Sequence, residues 1–338
     1  MRKTPITIKD VARESGVNIS TVSRALNDTY GVHPETRDMV LNVAERLNYR
    51  LNRAASSLVT GRSHTLALIV ADIRNPYFAE LARGAEDAAR AGGCDLVLCN
   101  SDLSGDKQME YLRSLLEKRV DGILMNSVAE FTRSQQERLE AAGVPIVLLN
   151  QSAARRSFST VSADNVAGGG LAAEYLLRLG HRHIAHLTGP RHHGNMTDRA
   201  RGFLQALKDS GKDPRTTVLY GENSFEGGRA LVQKLFEKTP GVTAIFAGND
   251  LMAFGMVRAI LDAGRRVPED ISLIGFDNLE FASVLHPPLT TIHQPKYEIG
   301  RAAADILLRL ARDKSRSAPE HRVLGVELVE RQSCREIR

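Results

Sequence analysis

From Thr65 onward the chain alternates short, continuous apolar runs with amphipathic stretches. The runs Leu66–Ala71, Leu96–Asn100, Gly122–Asn126 and Ile146–Asn150 are each followed by a segment of helical period. A second set follows at Ile184–Thr188, Thr217–Tyr220, Ala244–Ala247 and Ile271–Phe276. Continuous apolar runs separated by helices predict strands buried on both faces and joined by right-handed βαβ crossovers in parallel sheets. Two such sets predict two lobes, with a ligand at the carboxyl ends of their strands.

Before Thr65 the period is helical throughout and the elements are short. Thr7 is placed to cap a helix running to about Ser15, with Asp10 at the third position and Ile6 able to staple onto Val11. Gly16 permits a tight turn, and Asn18 caps a second helix through Asn27. On that helix Val22, Ala25 and Leu26 share one face, while Ile19, Ser20, Ser23 and Arg24 lie on another. Pro34 opens a third helix over 34–47, with Met39, Val40, Val43, Ala44 and Leu47 as its core side. The pattern is a helix-turn-helix.

Charge sharpens that reading. Of a net charge of +5 over 338 residues, residues 1–62 hold ten Lys/Arg against six Asp/Glu, an excess of four. A small basic head on a near-neutral body fits a polyanionic partner. A second helix in the major groove of DNA offers Ser20 and Arg24 to base edges and Ile19 to a thymine methyl, while surrounding Lys and Arg neutralise phosphates. Residues 52–60 make about two helical turns, too short to be stable alone. They are expected to order only against DNA and a second subunit.

Composition excludes other classes. Hydrophobic residues at 42% and charged residues at 25% support a packed core rather than disorder. No stretch approaches the eighteen apolar residues or so that a membrane span needs. The basic start lacks an apolar stretch behind it, which predicts no secretory signal and a cytoplasmic protein without a membrane partner. Cys94, Cys99 and Cys334 are too scattered for a disulfide framework or a zinc site. Five histidines fall in 181–193, but His183 and His186 belong to a strand and His192 and His193 to the next loop, which disfavours one metal. Gly168-Gly169-Gly170 lacks phosphate-loop spacing, and no nucleophile elbow or catalytic carboxylate pair is present. The expectation is a non-enzyme without cofactor or metal.

The predicted strand ends carry Asp72-Ile73-Arg74-Asn75-Pro76-Tyr77-Phe78, Asn126, Asn150, the loop Gly189–Arg199, Asn249-Asp250, Asp277-Asn278 and Gln294. Amides, a carboxylate and an arginine converging on a cleft can bond adjacent hydroxyls, and aromatic faces can stack on a sugar ring. This set suits a small neutral polyol better than a reaction.

The run Thr7-Ile8-Lys9-Asp10-Val11-Ala12 … Gly16-Val17 … Ser20-Thr21-Val22-Ser23-Arg24 … Asn27, with Leu47-Asn48-Tyr49-Arg50-Leu51-Asn52-Arg53-Ala54-Ala55-Ser56-Ser57-Leu58, resembles the headpiece of the LacI/GalR family of bacterial repressors. The resemblance continues through almost the whole chain. It implies a headpiece over 1–51, a hinge over 52–63, and a body over 64–338 like that of periplasmic sugar-binding proteins. Lobe 1 would take about 64–163 plus 293–321, and lobe 2 about 164–291 plus 323–331, with crossings near 162–164, 291–293 and 321–323. The DNA-contact set it implies is Thr7, Asn18, Ile19, Ser20, Thr21, Ser23, Arg24 and Asn27. To these it adds Asn52, Arg53, Ala55 and Leu58, the leucine wedging into the minor groove. In the cleft, Arg199 matches the arginine that clamps the effector. Asn126, Asn249, Asp277 and Gln294 match polar binding positions, and Tyr77 and Phe78 the aromatic pair. Asn150 stands where the lactose-responsive branch has an aspartate, and Asn75, His193 and Phe225 complete the candidate effector set. His33-Pro34 departs from the family's usual serine cap.

Segments 97–100, 246–250 and 291–296 resemble most the ribose-responsive branch. Residues 71–84 also resemble the catabolite-control branch, whose corepressor is a phosphorylated carrier protein. The resemblance implies a homodimeric repressor on a pseudo-palindromic operator, since no heptad tail for tetramers follows Ser333. A sugar bound between the lobes would release it. Corepression by a purine or a phosphoprotein is the alternative, and a sugar-binding protein without a DNA role is the alternative class.

Overall fold

The computed structural model describes residues 6–27, 30–50, 61–126, 131–150, 157–191, 193–312 and 318–337. The chain divides into two units, Met1–Ser63 and His64–Arg338.

In the first unit, α1 (Ile8–Ser15), α2 (Ile19–Leu26) and α3 (Pro34–Arg46) enclose a small core of Val11, Val22, Ala25, Val40, Val43 and Ala44. Local chemistry sets each boundary. The Asp10 carboxylate accepts from the Thr7 backbone N–H (3.0 Å) and hydroxyl (2.7 Å), and Gly16 closes α1 at φ 69°. Asn18 Oδ1 accepts from the Thr21 N–H at 2.8 Å, capping α2, which ends one residue before Asn27. His33 precedes α3 without a side-chain cap bond, and Pro34 fixes the first turn instead. Two expected core positions differ. Ile6 and Met39 are exposed, because helices of eight residues cover only the narrow stripe centred on Val40, Val43 and Ala44.

The second unit contains two six-stranded sheets. The first runs β11-β5-β4-β3-β1-β2, from β1 (Thr65–Val70), β2 (Asp95–Asn100), β3 (Gly122–Met125), β4 (Ile146–Leu149), β5 (Ser159–Ala163) and β11 (His321–Leu324), all parallel. The second runs β12-β10-β9-β8-β6-β7, from β6 (His183–Thr188), β7 (Arg215–Tyr220), β8 (Ala244–Ala247), β9 (Ser272–Asp277), β10 (Thr290–His293) and β12 (Glu327–Val329). Only β12 is antiparallel to its neighbour.

Helices cover both faces of each sheet: α4 (Tyr77–Ala91), α5 (Gly105–Glu117), α6 (Arg133–Ala141) and α12 (Lys296–Arg312) on the first lobe, α7 (Asn165–Arg178), α8 (Gly194–Asp209), α9 (Phe225–Lys238), α10 (Asp250–Asp262) and α11 (Glu280–Val284) on the second. Alternation along β1 feeds two cores: Leu66, Leu68 and Val70 pack with α4 and α12, Ala67 and Ile69 with α5.

All eight apolar runs are strands within a residue or two. Four further strands were not anticipated. β5 is rich in hydroxyls, while β10, β11 and β12 are only three or four residues long and are defined by their partners. The chain leaves the first sheet after Ala163, returns after His293, and leaves again only after Leu324. The last crossing therefore follows 321–323, which still pair with β5. β2 departs from burial on both faces because it is an edge, leaving Val97 and Leu98 exposed. The Gly168–Gly170 run is a packing device. A Cβ on Gly169 would sit 2.1 Å from the Arg199 carbonyl, and one on Gly202 1.9 Å from that of Val166, so α7 and α8 meet backbone to backbone.

Candidate functional site

On the headpiece, Thr7, Asn18, Ile19, Ser20 and Arg24 are exposed, while Thr21, Ser23 and Asn27 are half-buried. Ile19 exposes 44% of its surface, a costly position for an isoleucine without a partner. Asn18 and Asn27 have structural duties as well. Asn18 Oδ1 also accepts from the Ser20 hydroxyl (2.6 Å), and Asn27 Nδ2 donates to the Ser23 carbonyl (2.8 Å). Tyr30, which no pattern marked, is 98% exposed. Asn52, Arg53, Ala55 and Leu58 lie outside the described residues.

At the carboxyl ends of the two sheets lies a cavity of about 60 Å³. The first lobe supplies Asn75, Tyr77, Phe78, Asn126 and Asn150; the second and the crossing segment supply His193, Arg199, Asn249, Asp277 and Gln294. Asp72, from the marked run after the first strand, and Asn195 and Met196, from the marked Gly189–Arg199 segment, also line it, as do Leu103, Asn223 and Leu251, which gave no signal in the sequence.

Phe225 does not line it. Ser224 caps α9, its Oγ accepting from the Gly227 N–H at 3.0 Å, and the turn leaves Phe225 outward and 37% exposed. Asn223 stands in the wall instead.

Several wall residues are held from behind. Asn75 Oδ1 accepts from the Tyr77 N–H (3.0 Å), and Asn150 Nδ2 donates to the Tyr77 hydroxyl (2.8 Å). Phe78 meets the Tyr77 ring edge to face at 5.1 Å. Arg199 is 2% exposed: its Nε donates to Asn165 Oδ1 (2.9 Å), its Nη1 to the Gly248 carbonyl (2.6 Å), and its guanidinium lies 3.6 Å from the centre of the Phe276 ring. Its Nη2 lies 3.7 Å from Asp277 Oδ1, an ion pair too long for a hydrogen bond.

Asp277 ends β9 with φ 122°, followed by Asn278 at φ 52°, a strained turn fixed on all sides. Lys296 Nζ donates to the Asp277 (2.7 Å) and Asn278 (3.2 Å) carbonyls, and Gln294 Nε2 donates to Asp277 Oδ1 at 2.5 Å. Asp250 accepts from the Thr291 hydroxyl (2.6 Å) and the Leu279 N–H (2.8 Å), so it braces the same turn. Burial pushes both carboxyls up, and the charge of Asp277 raises Asp250 further; Arg199 opposes the rise at Asp277.

The headpiece, residues 7–52, matches the model for bacterial regulatory proteins of the lacI family, and residues 63–324 match that for periplasmic binding proteins and the sugar binding domain of the LacI family. The chain belongs to the LacI family. It is thus a DNA-binding transcriptional repressor. This LacI-family chain is 38% identical to the HTH-type transcriptional repressor PurR of Edwardsiella ictaluri over 330 residues, 97% of this chain and 96% of the relative. The lac repressor dimer bound to operator and an anti-inducer superposes with a TM-score of 0.84 at 29% identity, over 98% of this chain and 99% of that one. A LacI family regulator from Enterococcus faecium with bound ribose superposes at 0.73 with 34% identity, covering 81% of this chain and all of that one.

Two histidines of this repressor serve its core. His181 is buried between the Thr243 (2.9 Å) and Ser272 (3.0 Å) hydroxyls, and His186 stacks on Phe246 at 4.5 Å. Burial pushes both imidazoles down to about 4. Among the described residues no group of three or more His, Cys, Asp or Glu is placed to hold a metal ion, and no helix is long and apolar enough to cross a membrane.

Proposed function

We propose that this repressor leaves its operator when a small neutral polyol, a pentose or a related monosaccharide, binds in the cleft. The observation that carries this is the charge of the wall: among the described residues that line it, the one guanidinium, Arg199, already faces Asp277 and is not free for a phosphate. Size agrees. About 60 Å³ holds roughly 4–6 waters, or about 120–180 Å³ of liquid, which is the scale of a monosaccharide and short of a nucleotide. The ribose-bound relative supports the class.

Arg24, Ser20 and Ile19 read base edges, and the hinge over 52–63 places Leu58 in the minor groove. The repressor acts in the cytoplasm as a homodimer. Exposed Val97 and Leu98 on the edge strand β2, and Leu261, Phe281 and Val284 on the second lobe, offer apolar faces to a second copy. The ligand favours one arrangement of the lobes and shifts the population away from the DNA-binding one.

The test is a thermal-shift screen with pentoses, hexoses, sugar phosphates and purines, followed by gel shifts on operator fragments selected from random DNA. A ligand at ~100 times its Kd adds about 2.7 kcal/mol, enough to raise the melting point by a few degrees. A shift with a monosaccharide that also releases DNA is expected. A purine or sugar phosphate that shifts melting and tightens DNA binding would overturn induction in favour of corepression.

A further inference from the structure

The geometry points to Asn223 as a specificity-determining hydrogen-bond donor to the effector, paired with Gln294 as an acceptor. This inference rests on the cleft being the effector site. One backbone group behind the wall has a fixed polarity. The Met252 backbone N–H, which can only donate, bonds Asn249 Oδ1 at 2.9 Å and so sets the orientation of that carboxamide. Asn249 Nδ2 then donates to Asn223 Oδ1 at 2.6 Å, which occupies the oxygen of Asn223. What remains to the cavity is Asn223 Nδ2, a donor without a partner among the described residues. The chain of bonds therefore runs from the first turn of α10 through two amides and ends at the ligand.

Across the cavity the polarity reverses. Gln294 is 1% exposed and donates its Nε2 to the Asp277 carboxylate, leaving Oε1 buried and unpartnered. A buried amide oxygen without a donor is an uncommon expense in a folded protein, and a ligand hydroxyl removes it. The cleft thus asks for an acceptor at one point and a donor at another. Only a ligand with oxygens correctly spaced satisfies both.

The experiment is isothermal titration of the full-length repressor and Asn223→Leu with D-ribose and its single-hydroxyl deletion analogues, deoxy and deoxyfluoro. Asn223→Leu should weaken D-ribose about 10- to 100-fold. One deoxy position should weaken the parent protein by a similar factor yet change Asn223→Leu less than about twofold. At that position fluorine, a weak acceptor, should recover part of the loss. At the hydroxyl facing Gln294, fluorine should recover none. Equal losses for every analogue in both proteins would overturn the assignment, as would unchanged ribose affinity. If Asn223→Leu melts well below the parent without ligand, Asn223→Ala is read through the same analogues. If D-ribose and every other monosaccharide fail to bind the parent, the sugar reading falls and takes this inference with it. If another monosaccharide binds, its deletion series decides.

Discussion

The ion pair between Arg199 and Asp277 permits a quantitative test of the cleft's electrostatics. At 3.7 Å and an effective dielectric constant of about 20, the attraction is roughly 4–5 kcal/mol. A double-mutant cycle with Arg199→Met and Asp277→Asn isolates this coupling from the loss of packing on Phe276 and of the bonds to Asn165 and Gly248. The coupling should depend on pH in a defined direction. Burial already raises the Asp277 carboxyl, and removing Arg199 raises it further. At low pH the single mutant escapes a bare buried charge by taking up a proton. Each unit of pH above the folded pKa removes about 1.4 kcal/mol of that escape. The coupling should therefore be small near pH 6 and grow by about 2–3 kcal/mol toward pH 8, approaching the Coulombic ceiling. Urea unfolding of the four proteins at both pH values measures it. A coupling below about 0.5 kcal/mol at pH 8 would refute an ionised pair, and one that is large but flat between pH 6 and 8 would refute the raised Asp277 carboxyl.

Two further outcomes concern the headpiece and the core. Arg24→Ala should relax operator discrimination at one base position by about 1–3 kcal/mol, whereas Arg13→Ala should leave discrimination intact; binding competitions over operator variants would show it. The His181 imidazole titrates near 4 in the folded chain against an ordinary 6.5, so the unfolded state takes up its proton first as pH falls. Its stabilising contribution is complete above about pH 6.5 and lost progressively toward pH 4, about 3 kcal/mol in all. Relative to the parent, the unfolding free energy of His181→Gln should lose less across that window. Parallel pH profiles would show that His181 does not titrate this way.

How much of this was legible in the sequence depended on whether a residue's role was local. Thr7, Asp10, Gly16 and Asn18 act on backbone groups within four positions, and the headpiece boundaries follow from them. The apolar runs read as strands because burial on both faces needs no partner to be named. β10, β11 and β12 carry hydroxyl, basic or acidic residues where β3, β4 and β8 of similar length are wholly apolar, and their pairing joins residues far apart in the chain. The cleft was partly legible for the same reason. Residues at or just past strand ends, such as Asp277 and Asn249, were marked. Leu103 and Asn223 enter the wall by the path of loops that residue type does not reveal. Phe225 was chosen for its aromatic ring, but the cap at Ser224 decided the orientation.

The interleaving of the two lobes has a consequence for the order in which the protein is made. Edge strand β11 of the first sheet and edge strand β12 of the second both come from residues 321–329. The Ser333 hydroxyl then joins β9 to β10, donating to the Leu273 carbonyl (2.5 Å) and accepting from the Thr290 N–H (2.8 Å). A ribosome that has passed residue 63 has produced every residue of the headpiece's own core, whereas neither sheet is complete until the last tenth of the chain has emerged. A polypeptide cut short in that last tenth would carry an intact headpiece on a body that cannot finish either lobe. The regulated half of the molecule is thus the last to be secured, and a stalled or clipped product is one that retains the DNA-reading surface without its control.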